Sequence, residues 1–273
     1  MCGLYFSQSS FEIKDINIDK IIKLINIIIK KKKYLTTLNY LRKFRCNKFL
    51  IELQNNSQLT KKIKNLKKKL IENKKKINSE IFNDLIWCIE NEIIQNSENV
   101  FNFIKKNKIQ KNFKSNIFIN YLFKSIESLN YLETRGRDSA SISINIKSKT
   151  KIKFNQIFKI NNSNFLFNQK KINKNDYLIN ITLKYANHIG YSGENLLNLK
   201  NTLINSKILN KINFEKIIGF FIIGHTRWAS TGSVNLSNCH PLINVNKKEN
   251  SFFYMNGDIN NYLELKKNKN SIL

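Results

Sequence analysis

From Ile18 apolar residues keep a helical spacing along this chain as far as Leu129 and then, from Ile142, alternate with polar ones. That change of period excludes both an all-helix and an all-strand fold. Before it, Ile18, Ile21, Ile22, Ile25, Ile28 and Ile29 share one helical face, with Asp15 and Asp19 near its N-terminus, where the helix dipole favours anions. Ile63, Leu66, Leu70 and Ile77 make a lysine-laden second stripe, Phe82, Leu85, Ile86, Ile89 and Ile93 a third, and Leu122, Ile126 and Leu129 a fourth. After it, Ile142, Ile144 and Ile146 predict a half-buried strand, and the unbroken run "IIGFFIIG", residues 217–224, predicts a buried one. "CGLYFS" at the start is a short strand candidate, and "FFYMNGD" reads as a strand ending in a tight Asn-Gly turn. The pattern is therefore mixed α and β, with no internal repeat and no Pro-rich or Gly/Ser-rich linker to mark a boundary.

The formal charge of +28 on 273 residues raises nucleic acid as a partner. The lysines, however, are spread along the whole chain beside Asn and Ile, whereas a binding footprint needs clustering, so the charge reads as compositional background and nucleic acid is not the expected partner. Against this background the rare residues carry the information. "GHTRWASTGSVNLSNCHP", residues 224–241, holds the single Pro together with His225, His240, Trp228 and Arg227. Arg occurs at positions 42, 45, 135, 137 and 227; where Lys is so plentiful, Arg implies a need for its planar, bidentate fork. Cys46, Cys88 and Cys239 show no paired spacing and read as small buried hydrophobes, which disfavours a disulfide framework or a zinc ribbon. With no signal-peptide pattern and no apolar run of spanning length, a cytoplasmic protein without a membrane anchor is expected.

Cys2 offers the sharpest chemistry. Removal of Met1 leaves it carrying a thiol and a free α-amine, which titrates near ~7.7–8.0 and serves as the nucleophile's own base without a His partner. Read alone, Cys2 is either such a nucleophile or an incidental residue on a frayed terminus.

Four further segments bear on that choice. "MCGLYFS" resembles the start of the class II glutamine amidotransferases, N-terminal-nucleophile enzymes that release ammonia from glutamine. "ETRGRDSASISI", residues 133–144, is similar to the RG-x-DSA segment of that family, "GHTRWASTG" to its HTRWA-T-G segment, "NCHP" to the following A-HP, and "FFYMNGDINNYLELK" to its VHNG-I-EN strand, turn and helix. All stand in the family's order. The closest branch is that of the glutamine:fructose-6-phosphate amidotransferases, the glucosamine-6-phosphate synthases.

The resemblance implies an α+β fold, the αββα four-layer sandwich of N-terminal-nucleophile hydrolases, with a long inserted helical segment over approximately residues 12–115. It also implies a set of roles. Cys2 attacks the side-chain amide of glutamine; the Asn256 side chain and the Gly257 N–H form the oxyanion hole; Arg227 clamps the substrate carboxylate, Trp228 closes the pocket, and Ser230 and Thr231 line it. Arg135, Gly136 and Asp138 support the nucleophile. For Trp228 a plain core role stays open, and for Arg135 and Asp138 a structural ion pair. His225 and His240 are expected to be scaffold, because the mechanism needs no His, and neither a metal nor a cofactor is expected.

The sequence also departs from the family. Ser230 and Thr231 replace Thr-His, the connection from "CGLYFS" to "TRGRDSA" is far longer than the family's, and the stretch from Ile144 to Gly224 is expanded. The chain ends soon after the oxyanion segment, so an amidotransferase domain incomplete at its C-terminus is expected, with a sugar-isomerase-type acceptor supplied elsewhere. The competing expectation is a decayed, non-catalytic frame whose lysine-rich helices bind RNA or an acidic protein.

Overall fold

The computed structural model describes residues 2–10, 41, 53, 57–153, 164–186, 192–230, 232–245, 250–261 and 263–265. The stripe from Ile18 to Ile29, together with Arg42, Arg45, Cys46 and Thr231, lies outside them. The chain divides into two compact units, one of Met1–Gln8, Lys124–Ile208 and Phe220–Leu273, the other of Ser9–Phe123 and Leu209–Gly219.

The second unit is helical. Helix α1 (Ser57–Glu72) is followed by α2 (Ser79–Trp87), which runs through a π-helical stretch, Cys88–Gln95, into α3 (Asn96–Lys106). The Asn78 side chain starts α2 by accepting from the backbone N–H groups of Glu80 and Ile81, which have no partner within the helix. Leu59, Ile63, Leu66 and Leu70 of α1 are buried in one cluster with Phe82, Leu85, Cys88, Ile89 and Ile93. Two members of the sequence stripes behave differently. Ile77 is buried but lies past the end of α1, and Ile86 is only partly buried. The wider π turn shifts the face on which the following residues fall, which brings Cys88, Ile89 and Ile93 inward together. Helix α4 (Phe113–Leu132), whose residues from Lys124 on belong to the first unit, starts well before the fourth stripe. Leu122 and Leu129 are buried as that stripe predicts, whereas Ile126 is half-exposed and Ser125 takes the buried place, its hydroxyl 3.3 Å from that of Ser7.

The first unit is built on a five-stranded sheet of β1 (Gly3–Ser10), β2 (Ser139–Ser148), β3 (Phe165–Lys171), β4 (Tyr177–Tyr185) and β5 (Ile217–Arg227), in the order β1-β5-β2-β4-β3. Strands β6 (Leu242–Val245) and β7 (Asn250–Phe253) form a separate antiparallel pair. Strands β3 and β4 and helix α5 (Glu194–Asn205) occupy part of the expanded stretch, where the alternation in "YLINITLKY" was the signal available for a strand.

The period-2 pattern of β2 predicts one buried and one exposed face, but both are buried. Strand β2 runs antiparallel to β4, pairing Ser141 with Lys184, Ser143 with Thr182 and Asn145 with Asn180. On the apolar face Ile142, Ile144 and Ile146 lie beside Ile179, Ile181 and Leu183, all buried, and the Tyr185 hydroxyl on this side meets Thr202 of α5. Burial of each such Ile or Leu contributes about 1.5–3 kcal/mol. Two polar pairs on the other face are satisfied across the strands, Ser143 with Thr182 at 2.7 Å and the Asn180 amide donating to Asn145 at 2.8 Å, whereas the buried Ser141 hydroxyl has no hydrogen-bond partner among the described residues. Lys184 Nζ donates to the Cys239 carbonyl at 2.8 Å, and burial lowers its pKa. Cys88 and Cys239 are buried small residues, as the sequence reading has them, and burial pushes the Cys239 thiol up.

Candidate active site

The unit with the sheet gathers residues that are distant in sequence. Gly3 begins β1 directly after Cys2, and β5, next to β1 in the sheet, ends at Arg227. The backbone N–H of Cys2 donates to Asn256 Oδ1 at 3.2 Å, and Cys2 Sγ lies 3.9 Å from the Trp228 carbonyl oxygen. An amide side chain has one acceptor end and one donor end, so engaging Oδ1 leaves Asn256 Nδ2 as a donor beside a half-exposed thiol.

The end of β5 is held from the segment before β2. A Cβ built on Gly136 would fall 2.6 Å from the Arg227 carbonyl carbon and 2.7 Å from Trp228 N, so the two backbones meet where no side chain fits. Asp138 then grips the same strand end at two points. Its backbone N–H donates to the Arg227 carbonyl at 3.0 Å, and its carboxylate accepts from the Ala229 N–H at 2.7 Å. The Asp138 carboxylate thus serves the Trp228 turn, and Arg135 is exposed.

Beyond β5 the chain curls round the Arg227 guanidinium, whose Nη1 donates to the Ser233 carbonyl at 3.2 Å. Gly232 takes φ +80° in this curl, a conformation that favours glycine, and a Cβ there would lie 3.6 Å from Nη2. Trp228 is 53% exposed, so it is a surface side chain at the mouth of the cluster and not a core residue. The Ser230 hydroxyl donates to both carboxylate oxygens of Asp258, at 3.1 and 3.2 Å.

The residue before Asn256 is clamped by both histidines of the segment. His225 Nε2 donates to the Met255 carbonyl at 3.1 Å, and His240 Nδ1 accepts from the Met255 N–H at 2.9 Å. The two rings stack with centroids 4.5 Å apart. The bonds fix the protons: His225 must carry one on Nε2, and His240 must keep Nδ1 free, which makes its ring neutral. Burial lowers His225 to about 4, the neighbouring His240 adding to the effect; burial and then Arg227 lower His240. Both histidines are therefore scaffold holding the Asn256 segment. Strand β7 stops at Phe253, short of the strand and Asn-Gly turn read from "FFYMNGD", because the Met255 backbone bonds these imidazoles instead of a ladder.

Sequence reasoning passed over two acidic residues of this unit. Glu133 is buried; its carboxylate accepts from the backbone N–H groups of Gly193 and Leu196 and so caps α5, and desolvation raises its pKa despite those bonds. Asp258, next to the Asn-Gly pair, had one usable signal: acidic residues are scarce here, 19 against 47 basic. Among the described residues no three His, Cys, Asp or Glu side chains gather as a metal site, and no helix is long and apolar enough to cross a membrane.

Fold and cluster together define a mixed helix-and-sheet protein with a cysteine, an amide and an arginine brought to one place. Over 54 residues, 20% of its length, the chain is 44% identical to a glutamine–fructose-6-phosphate aminotransferase [isomerizing] of Methanococcus maripaludis. The match spans 9% of that relative, so most of the relative has no matched counterpart in this chain. No family model and no solved structure matches the chain.

Proposed function

We propose that this chain is a glutamine amidotransferase-like domain of class II, which carries out the glutaminase half-reaction. The observation that carries the reading is the Cys2–Asn256 hydrogen bond, which joins residues 254 positions apart and sets an amide donor beside the thiol. After removal of Met1 the free amine takes the thiol proton, and Sγ adds to the side-chain carbonyl of glutamine. Asn256 Nδ2 and the Gly257 N–H stabilise the oxyanion. The tetrahedral intermediate collapses with loss of ammonia, which carries away the proton held by the amine, and leaves a thioester. Water then attacks the thioester, releasing glutamate and restoring the thiol. Arg227 holds the substrate carboxylate with its fork, Trp228 and Ser230 border the pocket, and Arg135, Gly136 and Asp138 keep the strand end in place.

In this reading the sheet and the β6–β7 pair belong to the αββα layers of N-terminal-nucleophile hydrolases, and the helical unit is an insertion. The similarity to an aminotransferase of fructose 6-phosphate favours that sugar as the ammonia acceptor. The test is glutamate release from glutamine by the purified protein, with mass spectrometry of its N-terminus. Loss of Met1, turnover abolished by Cys2→Ala, and turnover reduced about a hundred- to a thousandfold by Asn256→Ala are expected. Retained Met1, or equal silence of wild type and Cys2→Ala, sinks the enzymatic reading and favours a basic binding module.

A further inference from the structure

We propose that the helical unit carries a self-complementary docking face, on which a second copy of this chain seats its basic ridge against the acidic ridge of the first. This face is independent of the glutaminase reading of the other unit. The lysines spread along the chain leave one long gap: residues 77–104 hold no Lys or Arg but five acids, Glu80, Asp84, Glu90, Glu92 and Glu98. Directly before it, residues 61–76 hold nine Lys and a single acid, Glu72. Folding sets the two blocks side by side, because Ile63 and Leu66 of α1 share one buried cluster with Leu85 of α2 and Ile89 of the π stretch.

A cleft of about 630 Å³ follows the seam between the blocks. Lys64 and Lys68, one turn apart on α1, stand on one wall, and Glu90 and Glu98 on the other. Ile71, half-exposed, and Ile94, partly buried, give the cleft an apolar strip. Lys67 and Glu90 pair within the chain, but Lys64, Lys68 and Glu98 are exposed, and none has an ion-pair partner among the described residues. A wholly basic face would suit a polyanion; here the carboxylates of the facing wall repel one. Two parallel ridges of opposite sign match a copy of themselves instead. A two-fold axis lying along the cleft turns each basic ridge onto the acidic ridge of the other copy, whereas an axis lying across it sets like charges together. Complementarity therefore fixes the orientation as well as the partner. Exposed ion pairs are weak singly, but symmetry repeats each one, and Ile71 leaves water at the same time. The result is a reversible, salt-sensitive dimer.

The test is sedimentation equilibrium of the full chain. Wild type is expected to dimerise, with association weakened about tenfold as salt rises from about 0.05 to 0.5 M. Lys64→Glu with Lys68→Glu in one variant, and Glu98→Lys in another, should each weaken dimerisation about tenfold, since every reversal acts twice in a symmetric pair. Mixing the two variants should restore association to within about threefold of wild type, because the acidic face of one then meets the basic face of the other. Rescue on mixing is a result that a structural role within one chain cannot produce. If circular dichroism shows that a reversal lowers helicity, Lys64→Gln with Lys68→Gln and, separately, Glu98→Gln carry the test, each weakening association about threefold. A monomeric wild type overturns the proposal, as do reversals that leave dimerisation unchanged or that fail to recover on mixing. A monomer that binds poly(U) through Lys64 and Lys68 overturns it in favour of a polyanion.

Discussion

Gly136→Ala is the sharpest probe of how the strand end is held. Gly136 has φ −170° and ψ 112°, extended values that alanine adopts freely, so the substitution adds a methyl group without straining the backbone. That methyl would lie 2.6 Å from the Arg227 carbonyl carbon, against ordinary carbon–carbon contact at about 3.5 Å. The segments must therefore separate by about 0.9 Å. The atoms in the way are backbone, so no rotamer change relieves the contact. Overpacking of this kind costs about 1–3 kcal/mol, or roughly 2–12 °C in Tm for a chain of this size. The Asp138 bonds to Arg227 and Ala229 stretch with it, and an error near 1 Å in a positioned group costs about a hundredfold in rate. The assay pairs thermal unfolding with glutamate release. A variant with wild-type Tm shows that Gly136 is not packed on β5, and a destabilised variant with undiminished turnover shows that this contact does not set the site.

Two other expectations follow from the same geometry. Because burial depresses His225 to about 4 and lowers His240 as well, the folded state prefers both imidazoles neutral, whereas the unfolded chain takes up protons near ~6.5. The unfolded state then binds more protons as the pH falls from about 6.5 towards 4, so their stabilisation is whole above that window and declines within it. The loss from His225 alone is on the order of 3 kcal/mol; urea unfolding from pH 7 to pH 4 measures it, and a flat profile that His225→Asn leaves unchanged refutes the clamp. In the helical unit, Leu85→Ala empties a fully buried site at the centre of the cluster and should cost about 2–5 kcal/mol. Hydrogen exchange reads this as lost protection across Ser79–Gln95, and unchanged protection there contradicts a packed cluster.

Several site residues were legible because composition made them stand out. Arg227 and Trp228 are rare types in a lysine- and asparagine-rich chain, and the structure places them at the end of a strand that the unbroken run "IIGFFIIG" announces. The partners of Asp258 and Glu133 were not legible. Their environments are made by partners far along the chain, Ser230 for the first and the start of α5 for the second, and no local spacing encodes such pairings. Ile77 and Ile86 show the same limit within helices. A stripe assumes a regular turn, and the connection after α1 and the π stretch after α2 break that regularity.

By itself the sequence determined the periods: helical from Ile18 to Leu129, strand-like from Ile142, each following from backbone geometry and the need to bury apolar side chains. Only the tertiary structure decided what the other face of each element meets. Ser143 and Asn145 of β2 look solvent-bound in sequence, yet Thr182 and Asn180 on the neighbouring strand satisfy their hydrogen bonds and let them be buried. Likewise His225 and His240 become scaffold only where chain closure brings the Met255 backbone between them and sets Asn256 against Cys2.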